Sequence, residues 1–249
     1  MPDALLDLQD TLYASRNPTR RWLHGERRAW IEVALRRLAA QGARTAVEVG
    51  PGSGVYLPLL CSLFEQVTAS DVEDAFLDRA RELASTLPNL EVVRDDVTAP
   101  RLGTFDVVLC SEVVEHVPDP AAALRGLRRL LAPGGTLVLS TPQRHSTLEL
   151  AGRVAFWPGI VHALRLVYRE PILPMGHVSL MTERRLRAAA AAAGLVVVEA
   201  HKSGLYLPGV AEAGGERGRR LAERAADRLR GGRLDALLWT QLYLLRHAD

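Results

Sequence analysis

Apolar positions across residues 20–40, "RRWLHGERRAWIEVALRRLAA", recur three and four apart, which predicts an amphipathic helix with Gly42 as its stop. The period then changes. "TAVEVG" is an apolar run of strand length, "GVYLPLLCSLF" returns to helical spacing, and "QVTASD" followed by "EDAFLDRARELASTL" repeats the pair. "LEVVRDD" and "FDVVLCS" predict a third and a fourth strand. Asp119 as N-cap with Pro120 at the first position opens a helix over "AAALRGLRRLLA". "PGG" at 133–135 marks a turn and "TLVLSTP" a fifth strand. Two closing strands, "LVVVEAHKSGLYL" and "LLWTQLYLLRH", flank an Arg-rich helix at about 212–230. Strands alternating with helices at this spacing predict an α/β fold: a doubly wound, mostly parallel, Rossmann-like sheet with helices on both faces.

With 249 residues and no internal repeat or disordered linker, the chain reads as a single domain, 1–249. Residues 1–41 form an N-terminal helical cap on it. Residues 146–178 form an apolar insertion after the fifth strand, long enough to suggest a lid or substrate wall. Within that insertion Trp157 and Tyr168, with Arg153, Arg165 and Arg169 nearby, also suit a lipophilic acceptor or peripheral contact with a membrane surface.

Composition narrows the choice. The 31 basic residues are nearly balanced by 29 acidic ones, which argues against a dedicated nucleic-acid binder. Cys61 and Cys110 both sit in apolar stretches, so no disulfide framework is implied, and a reducing, cytoplasmic setting is expected. The opening "MPDALLDLQD" lacks a secretion pattern, and no window approaches the roughly 20 apolar residues that span a bilayer.

The candidate chemistry lies at strand ends. "VEVGPGSG" (47–54) joins the first strand to the first crossover helix, and Gly50, Gly52 and Gly54 let the backbone bend tightly and let a ligand lie on it. The G-x-G-x-G spacing leans away from a dinucleotide pyrophosphate. Asp71 ends the second strand, where a carboxylate could accept both hydroxyls of a ribose. Asp95 and Asp96 end the third, where one could accept an adenine amine; the structural alternative is helix capping. After the fourth strand comes "SEVVEH" (111–116). If helical, that segment converges Glu112, Glu115 and His116 on one face, and His177 in "PMGHVSL" adds a fourth donor. Two carboxylates and two imidazoles suit Mg²⁺, Mn²⁺, Fe²⁺ or Zn²⁺, with positions open for a substrate hydroxyl pair. Helix-start acidity and metal-free acid–base use remain alternatives. Glu112, His116 and, after the fifth strand, His145 are the candidate acid–base groups. His24, Arg20, Arg21, Arg27 and Arg28 read as a solvated basic face that could also cap the pocket.

The order "VEVGPGSG", Asp71, "RDDV", "FDVVLCSEVVEHVPDP", "LAPGGTLVLSTP" resembles the class I S-adenosylmethionine-dependent methyltransferases over about 45–207. The resemblance implies seven strands with an antiparallel last strand, S-adenosylmethionine as cofactor and a small-molecule acceptor. It implies that Gly50, Pro51, Gly52 and Gly54 support the methionine end, with Glu48 near its amino group. Asp71 and Val72 would lie at the ribose, Asp96 and Val97 at the adenine, and Ser111 beside the bound cofactor. Within the family the chain is similar to the ubiquinone-biosynthesis O-methyltransferases, through "EVVEHVPDP", "STP", the histidine after an apolar insertion and "SGLYLP". It also looks like the small-RNA 3′-terminal 2′-O-methyltransferases, whose E-x-x-E-H and distant histidine hold a metal. The expectation is an O-methyltransferase of a hydroxylated, lipophilic catechol or vicinal diol. The alternatives are a metal-free N- or C-methyltransferase and a non-catalytic peripheral membrane or interaction protein.

Overall fold

A computed structural model describes residues 13, 15–155 and 177–248. Most of the 146–178 insertion, including Trp157, Arg165, Tyr168 and Arg169, lies outside the described residues, as do the side chain of Arg153 and residues 1–12.

Helix α1 (Pro18–Ala40) begins where Asn17 accepts hydrogen bonds from the Thr19 and Arg20 amides and Pro18 takes a first-turn position that needs no N–H. The described order continues β1 (Thr45–Val49), α2 (Leu57–Leu63), β2 (Gln66–Asp71), α3 (Asp74–Ala84), β3 (Leu90–Arg94), β4 (Phe105–Ser111) and α4 (Pro120–Arg129). Then come β5 (Leu131–Pro142), α5 (Thr147–Ala155), α6 (Glu183–Ala192), β6 (Leu195–Ser203), α7 (Val210–Ala213), α8 (Gly215–Leu229), a 3₁₀ turn (Asp235–Leu237) and β7 (Thr240–His247). Asp119 caps α4 as expected, accepting from the Ala122 amide at 2.9 Å.

The seven strands form one sheet in the order β3-β2-β1-β4-β5-β7-β6. β7 alone runs against its neighbours, pairing antiparallel with both β5 and β6. The expected mostly parallel, doubly wound sheet is therefore present. Alternation along the strands builds a core on each face. Val47, Val108, Leu137 and Leu139 meet Leu124 and Leu127 of α4 and Leu186 of α6. Ala46, Val107, Leu109 and Val138 meet Ile31 and Leu35 of α1 and Leu57 and Leu60 of α2. Each fully buried Leu or Ile contributes about 1.5–3 kcal/mol relative to exposure, so both faces are held by burial.

Three local readings differ from expectation. "PGG" does not precede the fifth strand but is bulged out within it, since Phe105 pairs with Leu131 and Val107 with Thr136. The Arg-rich helix starts later, at Gly215, after the short α7. The segment 111–116 is not helical: β4 ends at Ser111 and a turn follows, closed by His116 N–H donating to the Val113 carbonyl at 2.9 Å.

The chain's only lysine, Lys202 at the end of β6, is buried between Glu183 at the start of α6 (2.5 Å) and Asp235 of the 3₁₀ turn (2.8 Å). That pair of contacts clamps three elements at one corner of the sheet.

Candidate active site

β1 and β4 are neighbours, with β2 and β3 beyond one and β5 beyond the other, so strand order reverses between them. Ligands of doubly wound sheets bind outside the carboxyl ends at such a point. There the chain places the glycine loop and the turn after β4 against each other. Gly50, Gly52 and Gly54 have φ of 71°, 55° and 78°, the left-handed region that glycine enters without strain. A Cβ on Gly50 would lie 2.4 Å from Val113 Cγ2, so the loop has no room for a side chain on that side. Pro51 is buried between them, its carbonyl accepting from Gly54 N–H at 2.8 Å.

Glu48 lies mid-strand below this loop, 2% exposed, and its Oε2 has no partner. Burial pushes its carboxyl well above the usual carboxylate range. A buried, unpartnered carboxylate oxygen is costly unless something cationic arrives. It fits a ligand ammonium such as the methionine end of the expected cofactor.

The next strand ends are already structured. Asp71 Oδ1 accepts the Val72 and Glu73 amides at 2.7 and 2.9 Å. Burial raises its carboxyl, against the pull of those amides. Asp96 Oδ1 accepts both the amide and hydroxyl of Thr98 at 2.8 Å, and Asp95 accepts from Arg101 and Leu102. None of the three is a helix N-cap, since α3 is preceded by Glu73; they close local turns instead. Val97 is buried beside α4, and Val72 is exposed at the rim.

Beyond β4 the acidic residues separate by role. Ser111 Oγ and Ser140 Oγ lie 2.9 Å apart. Glu112 has φ 58°, the only positive φ among described non-glycine residues, and its turned backbone aims the side chain toward α1. Its Oε1 accepts from Ser140 Oγ at 2.9 Å and its Oε2 lies 2.9 Å from Arg27 Nη1. Arg27 is buried, flanked by Tyr13 and His24, and its guanidinium stacks over Trp239 at 5.2 Å. Burial opposes its charge, but Glu112, Tyr13 and Tyr56 more than offset this and hold the guanidinium protonated. The same surroundings, burial first and then Arg27, depress His24.

Glu115 points the other way. It is fully buried; its Oε2 accepts from Thr141 Oγ1 at 2.9 Å, while Oε1 makes no hydrogen bond and lies 4.0 Å from His116 Nε2. Burial, reinforced by Glu112, pushes this carboxyl well up. Its backbone carbonyl accepts the amides of Val178 and Ser179, both at 2.9 Å, which seats His177 beside the turn. The rings of His116 and His177 lie 5.2 Å apart. One ligand atom each from Glu115, His116 and His177 fall within 4.8 Å of one another, a spacing that could hold a metal ion. Glu112, expected among the four donors, is instead occupied by Arg27 and Ser140. His145 is exposed in the turn after β5 and makes no polar contact among the described residues.

Two of these residues were within reach of the sequence. Arg27 lies four positions from Leu23 and from Ile31, on the buried stripe of α1, and so does not belong to a solvated face. Glu149, 6% exposed and 3.2 Å from His177 Nδ1, stands in the segment read as a lid.

Comparisons with known proteins identify the family. A family model described as a methyltransferase domain matches residues 21–200. A ubiquinone biosynthesis O-methyltransferase of Xanthomonas campestris pv. campestris is 39% identical over 127 residues, 49% of this chain and 52% of that protein. A Xanthomonas oryzae pv. oryzae enzyme of the same name is 39% identical over 126 residues, with the same coverage. The match thus spans about half the length of these curated relatives. Among solved structures, N-methyltransferase NodS from Bradyrhizobium japonicum, in complex with S-adenosyl-L-homocysteine, has a TM-score of 0.59 at 18% identity, covering 100% of this chain and 97% of its own. The [4+2]-cyclase SpnF has a TM-score of 0.56 at 17% identity, covering 87% and 80%. These low identities speak for the fold alone. The fold, the glycine loop and the family match over 180 residues together place the chain in the methyltransferase domain family, among the class I S-adenosylmethionine-dependent methyltransferases.

Proposed function

We propose that the chain methylates a hydroxyl of a lipophilic small molecule carrying two adjacent hydroxyls, a catechol or vicinal diol, with a divalent cation held by Glu115, His116 and His177. The observation that carries this reading is the convergence of those three donors beside the switch point, with Glu115 Oε1 buried and without a hydrogen bond. The Xanthomonas relatives named for ubiquinone biosynthesis O-methylation support oxygen as the acceptor atom.

S-adenosylmethionine, when bound, supplies the activated electrophile, a methyl on sulfonium. A divalent ion, when bound, would favour the ionised acceptor hydroxyl. The chain's own residues have the remaining work. Gly50, Pro51, Gly52 and Gly54 give the cofactor a backbone surface, and Glu48 offers its ammonium a counter-charge. Asp71 with Val72, and Asp96 with Val97, lie at strand ends suited to ribose and adenine. Ser111 and Ser140 hold the turn after β4 in register. His116 is the most exposed of the donors, so the acceptor's proton leaves on that side to water, not to an imidazole whose lone pair the ion would occupy. Arg27 keeps Glu112 paired, which leaves Glu112 as a structural anion and not a free base.

The test is a calorimetric titration of Mg²⁺, Mn²⁺ and Zn²⁺ into the protein with S-adenosylhomocysteine present, on wild type and on His177→Ala. One-site binding that disappears in the variant is expected, together with chelator-sensitive methylation of catechols. Absence of binding in both proteins would end the cation reading. It would leave His116 as an acid–base group and direct the substrate search to amines, carbon nucleophiles and single hydroxyls.

A further inference from the structure

Glu149 occupies a position whose local chemistry it does not complete. "STLE" at 146–149 has the S-x-x-E spacing of a capping box, in which the serine accepts from the third helical amide and the glutamate reaches back to the serine N–H. The first half is present: Glu149 N–H donates to Ser146 Oγ at 3.2 Å. The second half is diverted, because Ser146 N–H donates to the Gln143 carbonyl at 3.0 Å. Glu149 Oε1 is left buried and facing His177 Nδ1 at 3.2 Å, an approach without a directed hydrogen bond, so that neither atom has a hydrogen-bond partner. Among the described pairs of a carboxylate with a basic side chain this one is the most enclosed, with side chains 7% and 12% exposed.

We infer that Glu149 is a positioning residue that receives the Nδ1 proton of His177, fixing the tautomer that leaves the Nε2 lone pair free for the cation. Histidines that ligate metals donate the opposite ring N–H to a carboxylate, a backbone carbonyl or water, and loss of that partner weakens metal binding by about 10–100-fold. The helix α5, which carries Glu149, would thereby link the start of the apolar insertion to the donor cluster at its far end. This role rests on the cation reading above, and the experiment separates the two.

The measurements are Mn²⁺ titrations of wild type, Glu149→Gln and Glu149→Leu with S-adenosylhomocysteine present, and the His177 tautomer in ¹⁵N-histidine spectra of the metal-free wild type. Expected are a protonated Nδ1, an affinity about 10–100-fold weaker in Glu149→Leu at unchanged S-adenosylhomocysteine affinity, and near-wild-type Mn²⁺ binding in Glu149→Gln, whose amide oxygen still accepts the proton. An Nε2-protonated ring overturns the role whether or not either variant folds. Equal Mn²⁺ affinity in all three proteins overturns it and leaves the cation site standing. Glu149→Gln as weak as Glu149→Leu also overturns it, since the charge and not the hydrogen bond would then matter. A wild type that binds no Mn²⁺ removes the cation reading and this role with it.

Discussion

Glu48 and Arg27 show how single residues prepare the site before any ligand arrives. In the ligand-free fold Glu48 prefers to be protonated, because burial raises its carboxyl above the unfolded value of 4.5. The sign follows from linkage. Its contribution to stability is fully present below that value and is lost as pH rises toward the folded pKa. Glu48→Gln should therefore lose less melting temperature than wild type between pH 5 and pH 8. It should also bind S-adenosylhomocysteine about 10–150-fold more weakly, the worth of a charge-assisted hydrogen bond of about 1.5–3 kcal/mol. Thermal scans at both pH values and one titration check this. Arg27→Met strands Glu112 without its counter-ion, and about 3 kcal/mol of unfolding free energy in urea should be lost, the low end for a broken buried pair because Glu112 is partly exposed. Adding Glu112→Gln should restore most of it. At this scale the sequence was partly legible. Glycine and carboxylate positions could be read because their spacing along strand ends is local. The division of labour between Glu112 and Glu115 could not, because it depends on Arg27, which lies 85 positions upstream of Glu112 and meets it only through the fold.

Among elements, the strand ends and the turns after them decide where chemistry sits. The alternation of apolar runs exposed the sheet, because a buried parallel strand needs apolar residues on both faces. What it hid were irregularities: the bulge at 133–135, and the turn at 113–116 that a helical reading would have replaced. Both arise from tertiary contacts, the first from pairing with β4 and the second from the seat of Val113 on Gly50. That seat makes a prediction. Gly50→Ala puts a methyl group into Val113 and forces a left-handed backbone on alanine, so about 1–3 kcal/mol of stability and much of the cofactor affinity should go. Adding Val113→Ala should recover the steric part only, leaving a residual backbone cost measurable by denaturation.

Across the whole molecule, one sheet carries two cores and keeps its functional groups at a single edge, the carboxyl ends nearest the reversal of strand order. No helix among the described residues is long and apolar enough to cross a membrane. The fold class could be read from the order of elements, whereas the substrate class depends on a few side chains that converge from α1, β4, α5 and the segment at His177. The Lys202 clamp belongs to this scale as well, since it joins β6, α6 and the 3₁₀ turn. Every other basic side chain is an arginine, so the chain carries a single ε-amine, and the fold hides it. An acylating reagent can reach that nitrogen only when the corner opens. The rate of acylation at Lys202 is thus a built-in clock for the breathing of the sheet's far edge, readable by mass spectrometry without introducing any label.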